Sequence, residues 1–278
     1  MKVSKSYDED KGILYLVGTP IGNMGDMSYR AIEALKTCDY IFCEDTRVSK
    51  KLLNYFSIDK PLNSYYEYNK DSKNDYIISL LQKAFKVALI SDAGNPVISD
   101  PGFEIVKLAI ENNISVSPIS GPSAFVSTLI ASGINPKPHT FYGFLDHKKT
   151  KRVNELEELK THPYTIIFYE SIHRIKETLN DIYDVLGDRY ICIGRELTKQ
   201  HEEFIYGYLQ EVKEYELTLK GEIVIVVAPQ AKTDIIFNVK KEVDFLVASG
   251  MKSKEAIKIV AKRSKRATSD VYKEYYDI

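Results

Sequence analysis

Apolar runs of strand length recur along the chain: Ile13–Val17, Tyr40–Cys43, Val87–Ile90, Ile114–Ile119, Thr140–Phe144, Thr165–Tyr169, Tyr190–Ile193 and Ile223–Ala228. Several are unbroken rather than alternating, the pattern of strands covered on both faces. Between them lie segments of helical period. Tyr29–Lys36 follows Ser28, a good N-cap. Asp75–Phe85 places Ile77, Ile78, Leu81 and Phe85 on one stripe. Ile172–Leu186 repeats this with Ile172, Ile175, Leu179, Ile182 and Leu186, and Gly187 stops it. Strands alternating with helices predict an α/β fold with largely parallel strands. A Gly-Pro turn at Pro118–Pro122 and a change of texture after Pro229 divide the chain into three parts. These are an N-terminal α/β domain (1–120), a second α/β domain (121–232) and a small basic helical domain (233–278).

Composition narrows the class. Of 278 residues, 44% are hydrophobic and 28% charged, an ordinary globular balance that excludes a disordered chain. Lys and Arg number 38 against 39 Asp and Glu, so affinity for nucleic acid must come from local patches. Two are visible. Lys148, Lys149, Lys151 and Arg152 form one; Lys252–Arg266 carries seven basic residues, Lys262, Arg263, Lys265 and Arg266 among them, against the single acid Glu255. Cys38, Cys43 and Cys192 have no metal-ligand spacing, which predicts a reducing compartment and no metal site. No apolar run approaches the ~20 residues that span a bilayer, and MKVSKSYDEDKG has no apolar signal-peptide core. The expectation is a soluble cytoplasmic protein.

The candidate chemistry sits where apolar runs break. Leu14–Gly25 (LYLVGTPIGNMG) ends in a glycine turn that is neither a P-loop nor GxGxxG. Ser91–Gly102 (SDAGNPVISDPG) is a rigid loop at the carboxyl end of a buried run, where open α/β sheets bind ligands. Ile119–Ala124 (ISGPSA) is a second strand-to-helix turn, with N–H groups suited to an anion. Charged clusters follow three further strands: Glu44, Asp45 and Arg47 in CEDTR; Glu170, His173 and Arg174 in YESIHR; Arg195, Glu196 and Lys199 in GRELTK. Each cluster alone is also what a helix cap or an ion pair would require.

Taken in this order, LVGTPIGNMGDMSYRA, CEDTR, SDAGNPVISDPG, SGPSA, FYESIHR and GRELTKQHEE resemble the bacterial cytidine 2′-O-methyltransferases of 16S ribosomal RNA, in the tetrapyrrole methylase superfamily. The resemblance covers about residues 12–230, and SKEAIKIVAKRS resembles the helical domain appended to those enzymes. It implies two α/β domains of the tetrapyrrole methylase type, S-adenosyl-L-methionine in the cleft between them, a homodimer, and a ribose in the small ribosomal subunit as acceptor. Carried over by position, the cofactor residues are Asp92, Ala93, Gly94, Asn95 and Pro96, then Gly121, Pro122, Ser123, Ala124 and Tyr169. The catalytic candidates are Glu44, Asp45, Arg47, Glu170 and Arg195, expected to face one another across the cofactor methyl. Lys148, Lys149, Lys151, Arg152, Lys262, Arg263, Lys265 and Arg266 are the RNA-binding candidates. The chain departs from the family at Asn95, where threonine is usual, and at Tyr65–Asn69, where histidines are expected. Two alternatives remain: a related methylase acting on a small macrocycle or protein side chain, and a non-catalytic RNA-binding assembly factor.

Overall fold

The computed structural model describes residues 3, 5, 12–215, 221–230, 238–264 and 266–278. The chain forms two compact units, Met1–Gln230 and Ala231–Ile278.

The first unit contains two five-stranded sheets. The first has β1 (Ile13–Val17), β2 (Tyr40–Cys43), β3 (Leu62–Ser64), β4 (Lys86–Ile90) and β5 (Ser115–Ile119), ordered β3-β2-β4-β1-β5 and parallel throughout. Helices α1 (Tyr29–Thr37), α2 (Thr46–Tyr55), α3 (Lys70–Gln82) and α4 (Phe103–Glu111) connect them. One face packs Leu35, Ile41 and Leu53; the other packs Leu14, Phe42, Ile77 and Ile105. Both faces are dry, as the unbroken apolar runs require.

Helix α5 (Ala124–Ala131) leads into the second sheet. Its strands are β6 (His139–Phe144), β7 (Thr165–Ser171), β8 (Tyr190–Arg195), β9 (Glu203–Tyr208) and β10 (Glu222–Val227), in the order β6-β7-β10-β8-β9. Here the expectation of largely parallel strands fails. Only β6 and β7 run parallel; the β7–β10, β10–β8 and β8–β9 pairs are antiparallel. Helices α6 (Lys149–Leu159), α7 (Ile175–Leu186) and α8 (Leu209–Glu214) complete this half. One face of the sheet packs Ile166, Phe168, Ile193 and Ile225 with Leu156 and Leu179 of the helices; the other packs Ile167, Cys192 and Val224 with Leu129 of α5 and Ile21. Burial on both faces produces an unbroken run whatever the strand direction.

Local differences have local causes. α3 begins at Lys70, five residues before the periodic stripe, and ends at Gln82; Ala84 adopts φ +64°, leaving Phe85 beyond the helix. α7 begins at Ile175, because Glu170 and Ser171 extend β7. β3 and β9 are edge strands that the apolar pattern did not announce.

The second unit has helices α9 (Val239–Ala248), α10 (Ser253–Ser264) and α11 (Thr268–Tyr276), with its own core of Val243, Leu246, Ile257, Val260 and Val271. No helix among the described residues is long and apolar enough to cross a membrane.

Candidate active site

Three strand-end turns of the first sheet are laced together. Thr19, after β1, exchanges backbone hydrogen bonds with Gly94, after β4, at 2.8 and 3.1 Å. Its hydroxyl also donates to the Ser91 and Gly94 carbonyls. Gly18 N–H donates to the Ile119 carbonyl at the end of β5. Gly18 and Gly121 touch backbone to backbone: a Cβ on either would stand 2.7 Å from the other's Cα. The Asn95 amide donates to the Pro122 carbonyl at 3.2 Å, so this asparagine ties the two expected cofactor turns together. The SDAG turn needs φ +81° at Gly94, and Val97 is held at φ +78°, a strained state for a β-branched residue.

These turns face a hollow of about 440 Å³ between the two sheets. Asp92–Asn95, Ser123 and Ala124 form one side, and Tyr169 and the start of β10 form the other. α5 starts at Ala124 with no side-chain cap, and the Phe125 N–H of its first turn faces the Tyr169 phenol. Pro96, Gly121 and Pro122 are in these turns but do not line the hollow. Burial pushes the Tyr169 phenol up, opposed in part by the Phe125 backbone N–H and the Ser123 hydroxyl.

The walls are acidic. Asp92, Asp100 and Glu222 line the hollow, with His173 and no lysine or arginine; Glu170 borders it, but its carboxylate is wholly buried against Arg174 and Thr178. The Asp100 carboxyl is pushed up to about 6, first by burial and then by Glu44, Asp92 and Glu222. Burial also raises the Asp92 and Glu44 carboxyls. Asp100 and Glu222 were missed in the sequence. Asp100 stands inside the quoted SDPG, and only the folding of β2, β4 and β10 to one place reveals its charged neighbours.

The expected catalytic residues do not all converge. Asp45 caps α2: its Oδ1 accepts from the Arg47 N–H at 2.8 Å, and the exposed Arg47 guanidinium holds its carboxyl down to about 2. Its own N–H donates to Asp92 Oδ1 at 3.2 Å, so Asp45 reaches the hollow through Asp92. Glu44 borders an adjacent depression with Asp100 and Lys70. Glu170 and Arg195 fall on the other face of their sheet. Both pair with Ile223 across the ladder, and Ile223 belongs to the core under α6 and α7. Strand period two puts Tyr169 toward the hollow and turns Glu170 away. The Glu170 side chain is wholly buried, with Oε1 2.7 Å from Arg174 and Oε2 accepting from Thr178 at 2.6 Å. Arg195 pairs with Glu203 at 2.9 Å.

The basic patches also change. Lys148, Lys149 and Lys151 are exposed. Arg152 is not: it is wholly buried and pairs with Asp181 at 2.7 Å, so it is a packing residue and no part of an RNA-facing surface. In the second unit Lys262 is exposed, Arg263 pairs with Glu242 at 3.7 Å and Arg266 with Glu274 at 2.5 Å. Lys265 lies outside the described residues. The Tyr65–Asn69 segment, where histidines were expected, sends Tyr65 into the core, its hydroxyl donating to Asn74 at 3.0 Å.

Comparison with known proteins agrees with this architecture. The model of the tetrapyrrole (corrin/porphyrin) methylases matches residues 13–213. Ribosomal RNA small subunit methyltransferase I of Halalkalibacterium halodurans is 45% identical, with 99% of each chain covered. The protein of the same name from Bacillus subtilis is 46% identical over 96% of this chain and 95% of its own. A crystal structure of diphthine synthase shares the fold at TM-score 0.61 and 13% identity, covering 78% of this chain and 90% of its own. The chain belongs to the tetrapyrrole methylase family, among the relatives that carry the name ribosomal RNA small subunit methyltransferase I.

Proposed function

We propose that this protein transfers a methyl group from S-adenosyl-L-methionine to the 2′-oxygen of a cytidine in 16S ribosomal RNA, within the small ribosomal subunit. The similarity to the rRNA methyltransferases carries this reading, because it runs along 99% of the chain and includes the basic helical tail. The diphthine synthase likeness covers only 78%, and a methylase of small molecules needs no such tail. We assign residues 1–120 and 121–232 as the two methylase domains, 233–278 as an RNA-binding domain, and a cytoplasmic homodimer as the working form.

The hollow fits the cofactor. Its volume lies in the range of small-molecule sites, ~300–1,000 Å³. The uncapped α5 turn at Ser123–Ala124 suits a carboxylate, and Tyr169, Ala93 and Val224 offer an apolar seat for a purine. Asp92, Asp100 and Glu222 suit the positive charge of a sulfonium and an ammonium. The cofactor supplies a methyl already activated for displacement. The protein's part is to align the ribose oxygen and to hold the departing proton. Of the expected catalytic set, Glu44 and Asp45 act beside Asp92 and Asp100, whose raised carboxyls suit proton acceptance, and Arg47 holds Asp45. Glu170 ties β7 to α7 and Arg195 ties β8 to β9, and neither is placed to touch substrate.

The test is methyl transfer from labelled cofactor to small subunits of a strain lacking this gene, followed by mapping of the modified nucleotide. A single labelled cytidine ribose is expected. Label on a base, or cofactor binding with no transfer, would reject the enzyme reading as stated.

A further inference from the structure

Behind the Asp92–Ala93 wall of the cofactor hollow lies a second one of about 260 Å³. It shares Ile21, Asp92 and Ala93 with the first, so the two are separated by the thickness of one loop. Pro20 and Met24, in the turn after β1, form one side; Val48 and Leu52 of α2 form the other. Its volume lies just under the range of small-molecule sites, ~300–1,000 Å³, so only a small group fits.

Among the described residues, one cation of this hollow is free for a ligand, and one buried hydroxyl lies beneath its wall. Ser49 is 2% exposed, and its hydroxyl has no hydrogen-bond partner among the described residues. The Cys43 thiol beside it is too weak a partner to satisfy a buried hydroxyl. Leaving such a group unpaired costs about 1–3 kcal/mol. Lys51 lines the same hollow, is exposed, and makes no ion pair among the described residues. The third hollow, around Asp100, offers no such cation. Its Lys70 is held by Glu67 and Glu104 at 2.7 Å each, and Glu44 and Asp100 line it as well. A phosphate is repelled there and attracted at Lys51.

We propose that the hollow between the Thr19–Met24 turn and α2 receives one unpaired nucleotide of the RNA acceptor, with Lys51 on its phosphate. This rests on the methyltransferase reading above. RNA is recognised chiefly through unpaired nucleotides splayed from their neighbours, and a hollow of this size admits one and excludes a duplex. Because the Asp92–Ala93 loop stands between the two hollows, the nucleotide held here is a neighbour of the one methylated, and Asp92 Oδ1 is fixed in that wall by the Asp45 N–H.

The test uses the full chain and unmethylated small subunits. Cofactor affinity is measured by calorimetry, subunit binding by filter retention and transfer in a single turnover. Lys51→Ala should weaken subunit binding about tenfold and reduce the salt slope by about one, with cofactor affinity unchanged. Met24→Trp should fill the hollow and reduce transfer at least a hundredfold with the cofactor still bound. Wild-type subunit affinity and salt slope in Lys51→Ala would overturn the proposal, even if Met24→Trp fails to fold. If the wild-type protein bound no S-adenosyl-L-methionine, the methyltransferase reading would fail instead.

Discussion

Asp100 has an unusual carboxyl because it is largely withdrawn from water and three other carboxylates share its surroundings. Its affinity for protons is pushed up from 3.8 to about 6, by burial first and by Glu44, Asp92 and Glu222 next. The folded chain therefore binds this proton more tightly than the unfolded chain. Stability falls as pH rises between those two values, and the full cost is in place above them. A two-unit shift corresponds to about 3 kcal/mol; partial exposure reduces this to about 1–2 kcal/mol. Asp100→Asn should melt a few degrees higher than wild type at pH 8 and at the same temperature at pH 4. Parallel melting curves across this range would leave the carboxyl ordinary. The cofactor's positive charge acts in the opposite direction on the same group. Binding near pH 6 should release protons, and calorimetry in buffers of different ionisation enthalpy would count them.

Among the elements, the sequence was informative where burial is complete and mute where it is partial. Eight strands were readable because both faces of their sheets are covered. β3 (LNS) and β9 (EFIYGY) were not, because no residue of either is fully buried and they alternate weakly. Strand direction left no mark, since β10 is as apolar between antiparallel neighbours as β1 is between parallel ones. The same logic explains the charged clusters. YES marks a strand end, but which of its residues faces the hollow depends on register, and period two gave the hollow to Tyr169. Glu170 and Arg152 are then ties between elements. Glu170→Gln keeps an acceptor for Thr178 but loses the Arg174 pair, and should cost about 2–3 kcal/mol because Arg174 retains some water. Its pH–rate profile should match wild type; a shifted profile would return Glu170 to the chemistry. Arg152→Ala leaves the buried Asp181 to the exposed Lys149, at 3.5 Å, and should cost about 3 kcal/mol in denaturant unfolding. Its exposed neighbour Lys151 should change stability by no more than about 0.5 kcal/mol when made alanine.

Across the whole molecule, charge is divided between the parts of the chain. Residues 233–278 hold ten Lys and Arg against seven Asp and Glu, a net of +3, so with −1 overall the rest of the chain carries −4. The methylase body thus repels RNA on average, and its acidic hollow suits a cationic cofactor. Under the proposed function, attraction for RNA falls to the tail. On α10, Lys254, Lys258 and Lys262 are exposed at every fourth position, one face of a helix with a rise of about 6 Å between them. None makes an ion pair among the described residues, whereas Lys240, Arg263 and Arg266 are each matched to an acid. Because Ala231–Ile278 is a compact unit with its own core, its removal leaves the core of the first unit whole. A chain ending at Gln230 should fold and bind cofactor as before. Three lost phosphate contacts on single-stranded RNA should lower the salt slope of subunit binding by about two, at ~0.7 per contact. Substituting the three lysines together by glutamine should reproduce most of that loss, while the same change at Arg263 and Arg266, already paired, should do less. Equal effects from the two sets would mean that net charge rather than the lysine row binds the RNA. Full-rate methylation of subunits by the truncated chain at physiological salt would remove the tail from substrate binding altogether.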